Sequence, residues 1–309
     1  MSNIAAAVCN PIIIEYETVD GTIGMQEFPA DSTDIRLFLR DAVAINLSAL
    51  EMCTKLEAFT CNHSQAIDID LSALSHCTSL KRVYMENNQF KTIDLGPLGT
   101  CSNLRSLHIE EKDLEVLDIG PLAKCIKLEN FAVHMSQITE LDIRPLSHCR
   151  ELRAFSIIAD HLLDIDLTPL SECSKLVRVS IIGEEVSSVD LEFLKGLSKL
   201  EELALIYLNI SEIDLSPLRG CKKLQLLWIQ GTGIHEIDLT PLENCVHLQR
   251  IWLDDNSLEE VDISSLFVCT NLQQIELDEN TVPKAQHHLG DLSVRSAGIE
   301  EIFDRIEWI

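Results

Sequence analysis

Two residue types capable of chemistry recur at a fixed spacing. Cysteines stand at Cys53, Cys77, Cys101, Cys125, Cys149, Cys173, Cys221, Cys245 and Cys269, each a multiple of 24 residues from the next, with Leu197 in the one vacant position. Carboxylates stand at Asp70, Asp94, Asp118, Asp142, Asp166, Asp190, Asp214, Asp238 and Asp262, with Asn46 first in the column. Thiols in this number suggest zinc or disulfides, and a row of carboxylates suggests cations. The spacing argues against each. Zinc sites use paired C-x₂₋₄-C ligands, which the chain lacks. Nine cysteines in one register cannot all pair, and Leu197 can pack but neither ligates nor bridges. The glycine-rich loops of calcium-binding repeats are missing.

A third candidate is an acid/base cluster. His108 and His134 fall near Glu86 and Glu110 on adjacent expected strands, where they could move protons or hold a metal weakly. No glycine-rich phosphate loop, nucleophile elbow or HExxH motif accompanies them. They read more simply as solvated polar positions, so the expectation is no catalysis, no cofactor and no metal.

The elements that position these residues follow from the repeat. Ten units of 24 residues run without insertion or deletion over 46–282, the pattern of a solenoid. Within a unit, pairs such as Leu203 and Leu205, or Leu227 and Ile229, alternate with outward residues, which predicts a short strand. Stacked units then give a parallel sheet with about 4.8 Å between coils. A turn, the Ile-Asp-Leu triplet and a Ser/Thr-Pro-Leu stretch come next. Ser216 or Thr240 reads as an N-cap, with Pro217 or Pro241 at the first helical position, which predicts a short helix or 3₁₀ turn on the opposite face. The cysteine, three residues after the unit's Leu, faces inward as a small hydrophobe with a weak S–H donor. The aspartate turns away from the hydrocarbon and accepts backbone N–H groups at the bend. Cys9 and Cys61 lie outside the register, so Cys9 is expected to react sooner than the rest.

The ends depart from the repeat. Residues 1–45 are expected to form an N-terminal cap with a β-hairpin turning at Asp20-Gly21. Residues 283–309 are expected to form a C-terminal cap in which Ile299, Ile302, Phe303 and Ile306 share a helix face. Residues 283–295 carry no clear assignment.

The full unit, roughly C-x-x-L-x-x-L-x-I-x-x-N-x-L-x-x-I-D-L-x-P-L-x-x, resembles the leucine-rich repeat family, most clearly from Leu248 to Leu258. The resemblance implies an α/β solenoid: a leucine-rich-repeat horseshoe with a parallel β-sheet on the concave face and short helices or 3₁₀ turns on the convex face. It departs from the family in the asparagine column, which only Asn88, Asn256 and Asn280 fill. Lys112, Ser136, Asp160, Glu184, Leu208 and Thr232 stand elsewhere in it, so the asparagine ladder should be broken in the middle.

Composition narrows the function. The chain of 309 residues is 46% hydrophobic and carries a net charge of −26, from 50 acidic residues against 24 Lys plus Arg. Such a field repels nucleic acid and anionic membranes and draws in basic proteins. No apolar run approaches a membrane span, the N-terminus lacks a basic leader, and free buried thiols point to a reducing, cytoplasmic setting. On the expected concave face, Ile158, Ile182 and Ile206 lead to Trp228 and Trp252 on adjacent strands. Tyr207 stands at the edge, and Arg178 and Arg250 flank the apolar floor. Exposed Trp beside aliphatics marks a protein-binding surface. The expectation is a non-catalytic interaction module, a monomer or weak homodimer, whose protein partner has a basic or apolar patch. The family resemblance leaves two roles open, recognition of a regulatory protein such as a small GTPase and acidic inhibition that masks a basic enzyme; the exposed patch itself leaves a third, a homodimeric scaffold joined through it.

Overall fold

The computed structural model describes residues 10–309, so Cys9 lies outside the described residues. The chain forms two compact units, Met1–Leu128 and Glu129–Ile309. Both are built from the same coil. In the first, strands Asp34–Phe38, Ala58–Asn62, Arg82–Glu86 and Ser106–Glu110 pair in parallel with no register shift. In the second, the parallel series runs Asn130–His134, Ala154–Ile158, Arg178–Ile182, Glu202–Ile206, Leu226–Gln230, Arg250–Trp252 and Gln274–Glu276. The 24-residue period without indels is what keeps equivalent residues side by side. Alternation does the rest: Val179 and Ile181 are buried, while Arg178, Ser180 and Ile182 lie on the solvent side of the sheet. The fold is therefore a leucine-rich-repeat solenoid within each unit, with strand stacked on strand and turn on turn.

The expected short helix is a 3₁₀ turn in every coil. In Thr168–Glu172 the N–H of Leu170 donates to the Leu167 carbonyl at 3.0 Å, and Cys173 donates to Leu170 at 2.9 Å. Pro169 fits the first turn, where its missing N–H is not needed. The cap differs from the expectation. No Ser or Thr side chain caps the turn, and the residue in the cap position is the Leu or Ile after the aspartate. The aspartate supplies the acceptor instead. Asp166 Oδ1 takes the Thr168 N–H at 2.9 Å, and Asp70, Asp94, Asp118, Asp142, Asp190, Asp214, Asp238 and Asp262 take the equivalent N–H. Asn46 does the same for Ser48 at the first turn. Ser72 and Ser216 add their hydroxyls to the same carboxylate oxygen. These bonds hold the carboxyls of Asp70, Asp166 and Asp214 below the usual range, and Arg144 beside Asp142 brings that one to about 2.

The ten described cysteines are free and buried. Cys77, Cys101, Cys125 and Cys173 each point their S–H at a leucine carbonyl of the preceding coil, at 3.4 Å. Burial pushes the thiols of Cys125, Cys173, Cys221 and Cys269 up to about 11, and those of Cys61, Cys77 and Cys245 to about 12.

The asparagine column follows a rule absent from the repeat consensus. In some coils a residue just past the strand is left-handed: His63, Asn87, Tyr207, Gly231 and Asp255, which share one column of the repeat, have φ of 56–64°. The next residue then turns inward. Asn88 there accepts from the Ser64 N–H and hydroxyl and donates to the Cys61 carbonyl at 2.8 Å. Asn256 repeats the arrangement toward Thr232 and Ile229. Where that kink is missing, the inward position falls one residue earlier. Glu111 therefore enters the core while Lys112 is exposed. Asn280, expected in the ladder, is exposed, and Thr281 is buried in its place with its hydroxyl on the Leu258 carbonyl.

At the N-terminal end, Ile12–Thr18 pairs antiparallel with Ile23–Phe28 and with Ala42–Asn46. Gly21 has a φ of 79°, and Asp20 Oδ1 accepts from Thr18 and Thr22 across the turn. At the C-terminal end the helix is shorter than the spacing suggests, Ala297–Ile302 followed by the 3₁₀ turn Phe303–Arg305. It packs on the Gln274–Glu276 strand through Gly298, where an added Cβ would meet the Gln274 nitrogen at 3.0 Å. Ile306 is still buried, but it leads into Glu307–Trp308, which pairs with Val282–Ala285.

Candidate partner-binding surface

On the solvent side of the second unit's sheet, strict register sets three columns of side chains. The middle column runs Ser156, Ser180, Ala204, Trp228, Trp252 and Glu276. Small residues on one side leave room for the indoles on the other. Trp228 and Trp252 meet edge to face, with ring centroids 4.6 Å apart and an interplanar angle of 90°, an arrangement favoured by the ring quadrupoles.

Polar neighbours lock the pair. Trp228 Nε1 donates to Gln230 Oε1 at 2.7 Å, and Gln230 Nε2 donates to Asp254 Oδ2 at 2.6 Å. The Arg250 guanidinium lies 5.4 Å from the Trp252 ring centre, within cation–π range. Trp252 Nε1 is enclosed and has no acceptor, an unpaired donor that costs about 1–3 kcal/mol.

The sequence candidates fall into two groups here. Trp228 and Trp252 are half-buried, Ile158 and Ile182 are half-buried, and Arg178 and Arg250 are exposed. Tyr207 is 48% exposed, with its ring laid over Gly231, where a Cβ would come within 2.4 Å of it. Ile206 departs from the expectation: it is buried, at 3% exposure. It sits in register between Ile182 and Gln230, whose amide is held by Trp228 and Asp254. Ala204 and Leu226, also on this side of the sheet, are covered as well. The surface is thus a pre-packed aromatic ridge on an apolar floor, with Arg178 and Arg250 where the strands begin and Asp254 and Asp278 where they end.

The polar positions around His108 lie half-buried on the solvent side of the first unit's sheet. His108 Nε2 lies 3.6 Å from Glu86 Oε1, and Tyr84 sits beside His108 at 6.2 Å between ring centres. Glu110 ends the same strand, and His134 belongs to the second unit. Among the described residues no three His, Cys, Asp or Glu side chains come together in a way that could hold a metal ion, and no helix is long and apolar enough to cross a membrane.

Sequence reasoning passed over Phe38, 57% exposed on the first unit's sheet and 6.5 Å from His63. Its strand lies ahead of the first recognised repeat, so the 24-residue register gave no reason to place it on this face. The Gln230–Asp254 clamp was also missed, because amide pairing depends on side-chain reach rather than on spacing.

Matches to the family described as BspA type Leucine rich repeat region cover residues 22–153, 112–225 and 187–306, with six copies. The chain belongs to this family. A comparison with curated proteins gave no match. Among solved structures the BspA-type chain is similar to an internalin, InlF, of Listeria monocytogenes, with 21% identity over 76% of this chain and 73% of that one and a TM-score of 0.53. It is also similar to the protein chain of a TLR13–ssRNA13 complex, with 14% identity over 88% of this chain and 41% of that one and a TM-score of 0.56. Identities this low speak for the fold alone. The leucine-rich repeat is a frame for protein–protein interaction, and the site on it is argued from its own residues.

Proposed function

We propose that the chain is a non-catalytic binding module, and that the ridge centred on Trp228 and Trp252 is where its second unit takes a protein partner. The locked indole pair carries this reading. A ring kept for packing alone could be Phe, which would fill the space without an orphaned N–H. The partner that fits has an apolar patch to cover the ridge and basic groups to meet Asp254 and Glu276; Arg178 and Arg250 take its acids. Of the roles open at sequence level, masking a basic enzyme demands strong weakening by salt, and docking of a regulatory protein such as a small GTPase through apolar contact demands little. A cytoplasmic setting is part of the proposal, because free, buried thiols suit reducing conditions.

The test pairs stability with binding. Trp252→Phe is expected to melt at or above the parent temperature, while capture of the partner from the source lysate falls at least tenfold. Trp228→Ala is expected to lose about 2 kcal/mol of affinity or more. It also uncovers part of the floor, so its melting temperature should fall modestly. Normal capture by a folded Trp228→Ala/Trp252→Phe double variant would place the site elsewhere.

A further inference from the structure

A second surface lies in the first unit, independent of the tryptophan ridge. The antiparallel sheet has the strand order Ile23–Phe28, Ile12–Thr18, Ala42–Asn46. Ile12 and Ile14 point inward and are buried. On the opposite face Ile13, Ile23 and Met25 are 41%, 62% and 65% exposed. Each stands directly across from an acid: Ile13 from Glu27, Met25 from Glu15, Ile23 from Glu17. A groove of about 280 Å³ runs between Ile23, the two central glutamates and Ala44. None of Glu15, Glu17 and Glu27 is in an ion pair among the described residues. The outer edge of Ile23–Phe28 has no strand beside it among the described residues.

We infer that this edge and face dock an extended cationic segment of another protein as an added strand, with basic and aliphatic residues taking turns at every second position so that both fall on the face of Ile23 and Met25. Backbone groups on a free edge supply sequence-independent bonds, and side chains two apart land on one face. The partner's aliphatics then cover Ile23 and Met25, and its long basic chains meet Glu27 and reach across Met25 to Glu15. Six residues of edge with only Glu27 to discourage pairing is an unprotected edge by the usual standards. Charge decides the occupant. A second copy of this chain would set the same three glutamates against each other, and an anionic membrane meets the same repulsion.

The experiment uses the full chain and a fluorescein-labelled, end-blocked eight-residue peptide with lysine at positions 1 and 5, valine at 3 and 7 and threonine between them, so that both side-chain types fall on one face. Anisotropy at 50 mM salt is expected to show saturable binding. Glu15→Gln/Glu17→Gln/Glu27→Gln together should weaken it at least tenfold, and Ile23→Ser/Met25→Ser at least fivefold. A peptide with alternate backbone nitrogens methylated should also bind at least fivefold more weakly, and the unmodified peptide should slow amide exchange at residues 23–28. Three results would each overturn the inference. One is an equal loss with the control triple Glu140→Gln/Glu184→Gln/Glu236→Gln, which would mean general attraction to an acidic protein. Another is indifference to methylation. The third is a concentration-dependent dimer abolished by Ile23→Ser, which would make the occupant a second copy.

Discussion

Glu111 is fully buried, and both its oxygens are answered by one residue: Asn88 donates its side-chain amide at 2.6 Å and its backbone N–H at 3.0 Å. No cation faces it from those bonds, and Glu110 and Asp113 add like charge. Burial dominates and raises its pKa from the ordinary 4.5 to about 7. The folded chain therefore holds this proton between pH 4.5 and 7, where the unfolded chain has lost it. Stability from this group is fully present below 4.5 and is lost as pH rises through 7, by on the order of 3 kcal/mol. Glu111→Gln cannot titrate. Urea unfolding of parent and variant at pH 5.5 and 7.5 should show the parent gaining on the variant at the lower pH; parallel behaviour would mean that Glu111 is ionised at both. The thiols make a second case. With Cys173 at about 11 and its S–H on the Leu146 carbonyl, iodoacetamide at pH 7.5 should label it only in denaturant. Cys173→Ala should cost on the order of 1 kcal/mol, and Cys173→Asp should unfold its coil because the charge would have no partner. Fast native labelling would contradict the burial.

At the scale of the element, the aspartate and the turn residue are one device. Asx bonding fixes the start of each 3₁₀ turn, and Asn46 shows that an amide oxygen serves as well as a carboxylate. Asp166→Asn should therefore be nearly silent in thermal melts. Asp166→Leu, which strips the Thr168 N–H of its acceptor, should cost about 1 kcal/mol. Equal costs would show that charge rather than the bond matters. The period gave strands and turns to within a residue, because a coil of fixed length leaves little freedom. What it could not give was the turn after each strand. Left-handed backbone at Asn87 but not at Glu111 moves the inward residue by one position, and a consensus column averages over both cases. Ile206 was misplaced for a related reason: alternation assigned its face correctly, but its neighbours' long side chains decide its exposure. Gly231 marks where the two levels meet. Its φ of 64° and the Tyr207 ring 2.4 Å from a would-be Cβ predict that Gly231→Ala costs more than 1 kcal/mol and displaces Tyr207. Unchanged near-ultraviolet circular dichroism and melting would refute that.

At the scale of the whole molecule, the acid excess is the dominant feature, and the aspartate column is its most regular part. Fifty carboxylates against 24 strong bases repel one another in the folded chain, and each Asp of the column sits one coil from the next. Bonding through Oδ1 to a backbone N–H stabilises each charge locally, so the column needs no bound cation to persist. Asp142 at about 2 and the lowered carboxyls of Asp70, Asp166 and Asp214 keep the charge in place well below neutral pH. The repulsion that remains is long-ranged and falls to screening: the Debye length shrinks from about 30 Å at 0.01 M salt to about 8 Å at 0.15 M. The melting temperature should therefore rise by a few degrees over that range, and do so smoothly. Calcium chloride matched to sodium chloride in ionic strength should give the same curve, because no three acidic side chains converge on one point among the described residues and one oxygen of each column carboxylate is already engaged. Calorimetric scans in the two salts make the comparison. A calcium curve that saturates at millimolar concentration several degrees above the sodium curve would turn the ladder from a structural brace into a cation-binding row.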